Sequence, residues 1–189
     1  MSDAPTAQLL PLADQFDACS AQAAAFAGLS EAQGRWRPGP NRWSVAECLA
    51  HLAATARQYE PGLTAAAGEV RARGRRAAGA PRPGFWGRRL AALMEPGAGA
   101  RIRRTPALAP PGDVSLADAA RAFDASQAML RGVVAEVDGM DLRSARMQSP
   151  VAPVLRITLA TALAMLAAHE RRHLAQARRV TEAPGFPVA

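Results

Sequence analysis

The chain contains no lysine: all 23 of its basic side chains are arginine. Aromatic residues are scarce at 5%, whereas alanine and leucine dominate a hydrophobic share of 49%. Strands draw on aromatic and β-branched side chains and helices on alanine and leucine, so this imbalance favours helices. The two cysteines, Cys19 and Cys48, are too few for a disulfide framework and fit a reducing compartment. Long apolar runs are missing as well. The stretch "ITLATALAMLAA" falls short of the about 20 residues that span a bilayer. The opening "MSDAPTAQLLPLADQF" has an acid where a signal peptide carries basic residues. Together these absences predict a cytoplasmic protein without a membrane partner. Histidine is nearly absent too, with only His51, His169 and His173.

At 189 residues the chain suits one domain with a substantial core. Its formal net charge is +7. A GC-rich coding bias, which writes arginine and alanine freely, accounts for that surplus. The competing reading is a partner bearing phosphates or carboxylates, which arginine grips bidentately. The first reading is the stronger, so a nucleic-acid partner is disfavoured.

Apolar spacing of three to four residues predicts four long helices. The first runs from about Thr6 to Leu29. The second opens at "WSVAE", where Ser44 and Glu47 form a capping box and Trp43 can staple onto Cys48, and ends by Arg73. Pro61 should bend or divide it, because proline removes a helical hydrogen bond. The third spans about Ser115 to Val137, and the fourth about Leu155 to Thr181, stopped by "APGFP". Between the second and third lies a glycine-, proline- and arginine-rich insertion, about residues 74–113, with one short helix near Phe85 to Met94. A connection this long is functional or disordered. No strand pair is evident. The expected fold is all-α, a four-helix bundle with a long crossover insertion between helices 2 and 3.

The chemistry gathers in "AAHERRHLAQARRV". His169 and His173 are four apart, so a helix presents both imidazoles on one face. Two ligands bind a metal weakly. His51, on the second helix, can supply a third, because bundles build metal sites from inward side chains of facing helices. The three imidazoles could hold zinc, nickel, copper or iron. "HERRH" also matches H-E-x-x-H, with Glu170 as a general base. That motif needs a third ligand downstream, and no histidine follows His173, so a metalloprotease is disfavoured. Glu47 and Gln176 lie within a turn of the histidines and could orient an imidazole. Capping is the stronger role for Glu47. Cys48 points about 100° away from His51 around the helix and reads as core.

"NRWSVAECLAHLAATARQYEPGL" resembles the second helix of the DinB-like family, with its W-S-x-x-E-x-x-x-H-L signature, and "AAHERRHLAQARRV" is similar to the family's H-x-x-x-H-L-x-Q. The resemblance implies a four-helix bundle that binds one divalent metal (zinc, nickel or iron) through His51, His169 and His173. It also implies a homodimer. Relatives include metal-dependent enzymes that use low-molecular-weight thiols, among them bacillithiol and mycothiol transferases and maleylpyruvate isomerase. The expected function is therefore a thiol-dependent S-transferase, or a related metal-dependent hydrolase, acting on electrophilic small molecules. Arg88, Arg89, Arg101, Arg103 and Arg104 could receive the thiol's carboxylates, although a solvated loop explains them more simply. The alternative is a non-catalytic, metal-binding, stress-related bundle protein. The insertion departs from the family pattern and leaves the substrate open.

Overall fold

In the computed structural model the described residues are 10–78, 82–98, 109–110 and 112–188. The chain is mostly helical with a small two-stranded sheet. Four long helices carry the core: α1 (Leu10–Ala24), α3 (Val45–Arg73), α5 (Leu116–Glu136) and α6 (Leu159–Thr181). Among the described residues there are also two shorter ones, α2 (Glu31–Arg35) and α4 (Phe85–Met94). The long helices pack around one interior, α3 against α5 and α6, and α1 against the same two. Leu63 and Val70 of α3 share one apolar cluster with Leu159 and Leu163 of α6, and Val45 and Leu49 of α3 share the other with Leu174 and Val180. The two helices therefore run antiparallel, with the beginning of α3 beside the second half of α6.

The predicted capping box of α3 is present. Ser44 Oγ accepts from the Glu47 N–H, and Glu47 Oε2 accepts from the Ser44 N–H at 2.9 Å. Gly74, at φ 59°, ends the helix in the left-handed conformation that glycine adopts without strain. α3 runs unbroken through Pro61, so the proline does not divide it. Both Pro61 and Arg57, whose carbonyl would have accepted from residue 61, are exposed, so water can take the freed carbonyl.

Two boundaries also differ from expectation. α1 ends at Ala24, followed by turns, and Ser30 caps the separate short α2 with its own capping box. The expected start near Thr6 lies outside the described residues. α6 begins at Leu159 rather than Leu155, because Ala152–Thr158 form strand β2, paired antiparallel with β1 (Arg146–Ser149). A strand pair therefore exists where none was expected. Pro150 sits in the turn, and the hairpin buries Met147 and Ile157 in the apolar core and Ser149 beside the Tyr59 hydroxyl, 3.4 Å away. Thr158 then ends the strand and caps α6 by accepting from the Thr161 N–H.

The short helix α4, within the insertion, appears where expected and lies along α6. Gly87 makes this possible, since a side chain there would overlap Thr161 of α6. Leu90, Ala91 and Met94 turn towards the core. At its far end Arg171 of α6 pairs with Glu95, and Arg172 donates to the Leu93 carbonyl at 3.1 Å.

Candidate metal centre

His51 lies in the second turn of α3 and is buried, while His169 and His173 sit on the half of α6 that faces it and are partly exposed. Antiparallel packing brings all three together although 118 residues separate His51 from His169. The Nε2 atoms of His51 and His169 are 3.2 Å apart. The three side chains offer one ligand nitrogen each, all within 4.8 Å of one another. Two nitrogens each about 2.0–2.1 Å from a shared ion, at angles between a right angle and tetrahedral, stand about 2.8–3.4 Å apart. The His51–His169 spacing falls in that range, and a neutral imidazole set suits a divalent transition metal.

The two imidazoles of α6 are held towards the neutral form. Burial pushes His169 well below the usual histidine value, aided by His173, His51 and the Arg172 charge. His173 is lowered to about 3, chiefly by burial, then by His51, with Gln176 opposing and Arg172 adding. Neutral imidazole is the form that ligates a metal. Gln176 Oε1 lies 3.1 Å from His173 Nδ1. A carbonyl oxygen can only accept, so His173 donates from Nδ1 and keeps Nε2 for a ligand position. The orienting role weighed for Gln176 is thus present in the geometry.

Glu47 is occupied elsewhere. Its carboxylate caps α3 and takes a two-pronged hydrogen bond from Arg37, at 2.7 and 2.8 Å. Cys48 is buried core, and burial raises its thiol far above the ordinary value. Glu170 points away from the histidines. Its Oε1 accepts from Gln127 Nε2 of α5 at 2.7 Å, and Cys19 of α1 lies beside it. Burial raises its pKa to about 7, against the opposing pull of those hydrogen bonds and nearby arginines. The H-E-x-x-H spacing thus delivers two histidines to the cluster, while the glutamate, about a quarter turn further round α6, meets Gln127 and Cys19 instead. Arg88 and Arg89 are exposed on α4, Arg88 donating to the Pro83 carbonyl at 3.3 Å. Arg101, Arg103 and Arg104 lie outside the described residues.

Two features escaped the sequence reading. Arg172, between the two α6 histidines, is an arginine whose charge bears on both His169 and His173. Trp43 packs on the apolar cluster containing Cys48 as a staple would, and its indole also lies against the histidines. Its ring centre is 4.7 Å from that of His51 and 5.4 Å from that of His173, nearly parallel to the latter at 29°. The sequence signals were its place directly before the cap of the helix that carries His51 and its position as the first residue of the W-S-x-x-E-x-x-x-H-L signature.

No helix among the described residues is long and apolar enough to cross a membrane. No curated protein and no solved structure matches the chain. The family model described as the DinB superfamily matches residues 15–177, which include the three histidines, all of α3 and α6 as far as Ala177, and the chain belongs to that superfamily.

Proposed function

We propose that His51, His169 and His173 bind one divalent metal ion, and that the protein is a metal-dependent enzyme of the DinB type that transfers a low-molecular-weight thiol to electrophilic small molecules. The observation that carries this reading is the convergence of the three imidazoles, with two Nε2 atoms 3.2 Å apart. Three ligands are fewer than a closed structural site uses, which leaves a position for substrate. An ion held there lowers the pKa of a bound thiol or water and supplies a nucleophile near pH 7. The protein's own part is to keep His169 and His173 neutral, to fix the His173 tautomer through Gln176, and to place positive charge from Arg172 beside the site for an anionic thiol.

In this reading the four long helices are a four-helix bundle, residues 74–113 are its insertion, and the working unit is a cytoplasmic homodimer. Metal analysis of untagged protein, beside His51→Ala and His173→Ala, tests the site. About one metal per chain, lost in both variants, is expected. Turnover of a chromogenic aryl halide with a panel of cellular thiols tests the chemistry. Metal without turnover by any thiol would leave a non-catalytic binding protein; no metal, after reconstitution with zinc, nickel and iron, would end both readings.

A further inference from the structure

The three histidines are not supported equally. His173 has Gln176 at its Nδ1, but what braces His51 and His173 against each other is an aromatic ring. Trp43 precedes the cap of α3, and its indole stacks on the His173 imidazole while leaning on that of His51. It therefore bridges the helix that supplies one prospective ligand and the helix that supplies the other two.

The indole is itself held. Trp43 immediately precedes Ser44, whose side chain and backbone N–H are both locked to Glu47. Glu47 is in turn gripped by both prongs of Arg37, and Arg37 also reaches the Gly112 carbonyl at 3.3 Å, where the insertion rejoins the bundle. The tether runs from the end of the insertion, through Arg37 and Glu47, to the cap and so to the ring over the imidazoles.

We propose that Trp43 is a positioning residue of the three-histidine site: its indole braces His51 and His173 in the orientation that a metal requires, and the Arg37–Glu47 pair sets the position of the indole. This rests on the metal-binding reading above. Ring stacking restricts rotation of the two imidazoles before an ion arrives. Groups that orient a ligand without touching the metal change affinity by about 10–100-fold when removed. An aromatic of another kind retains the stacking face, so phenylalanine should substitute where alanine does not.

The test is metal affinity, read by competition with a chromogenic chelator using zinc, together with the visible spectrum of the cobalt-substituted protein. Trp43→Ala should weaken zinc binding at least tenfold and alter the cobalt bands that report ligand geometry, with far-UV circular dichroism unchanged. Trp43→Phe should stay within about threefold of the wild type. Arg37→Gln, which leaves the indole in place and loosens only its tether, should fall between the two, and it remains informative if Trp43→Ala does not fold. Cobalt or copper should also quench a tryptophan emission component that Trp43→Phe lacks. Wild-type zinc affinity and an unchanged cobalt spectrum in folded Trp43→Ala would overturn this proposal and leave the metal site standing. So would unchanged affinity in Arg37→Gln if Trp43→Ala fails to fold. A wild-type protein that binds no metal would remove both.

Discussion

Glu170 and its histidine neighbours pull the pH dependence of stability in opposite directions. In the metal-free protein His169 and His173 resist protonation when folded, so the unfolded chain binds more protons below about pH 6.5 and stability falls as pH drops. Glu170, with a folded value of about 7 against an ordinary 4.5, holds its proton in the folded state where the unfolded chain has released it. It therefore costs stability as pH rises from about 4.5 to 7 and partly offsets the acid loss due to the histidines. Glu170→Gln removes this offset while keeping a partner for Gln127. Urea unfolding with chelator present, between pH 4.5 and 7, should show the variant more stable than wild type at pH 7, by up to about 3 kcal/mol. The two should converge towards pH 4.5. A variant less stable at pH 7 would mean that Glu170 works as a charged group. At the same scale, Gln176→Ala should weaken zinc binding about tenfold or more by releasing the His173 ring, with little change in the stability of the metal-free protein. Chelator competition measures the first and chemical unfolding the second.

Among the elements, α3 and α5 were legible because their starts carry local chemistry. Ser44 with Glu47 and Ser115 with Asp118 are caps that the folded chain uses as written. Ser44→Ala should cost about 1 kcal/mol in urea unfolding, the usual worth of such a cap. The hairpin was hidden. Its strands are short, β2 shows a clear inward face only at Ile157, and the apolar run of α6 follows without a break, so a helical reading absorbs Leu155 to Thr158. Pro150 and Pro153 were the available warning, as two turn formers just ahead of a run with β-branched residues. Pro61 raised a division of the helix that α3 does not show. A proline's effect depends on whether its helix face meets solvent or core, and exposure is a tertiary property. For α4 the decisive residue is Gly87. Gly87→Val should push the helix off Thr161, which limited proteolysis at the insertion's arginines would reveal as faster cleavage. Metal content should hold, because no histidine of the site lies on α4.

For the molecule as a whole, the site joins α3 to α6, two helices whose packing defines the interior. An ion bound only by the folded chain stabilises it in proportion to the logarithm of its free concentration over Kd, about 2.7 kcal/mol at a hundredfold excess. Zinc should therefore raise the Tm by several degrees, a shift that His51→Ala abolishes; thermal melts with and without chelator decide it. The histidine cluster was legible from spacing plus scarcity: with only three histidines in the chain, two on one helix face and one on another helix, convergence was the economical expectation. The contacts of Trp43 with the imidazoles and the charge of Arg172 beside them were not, because ring stacking and through-space charge depend on how helices rotate against one another. The separation of His51 from His169 has a further consequence during synthesis. A nascent chain carries His51 long before His169 and His173 exist, so the cluster cannot assemble until α6 has been made and has docked on α3. If the cluster holds an ion, loading would report that α3 and α6 have packed correctly, and a chain lacking α6 would leave the cell's metal untouched.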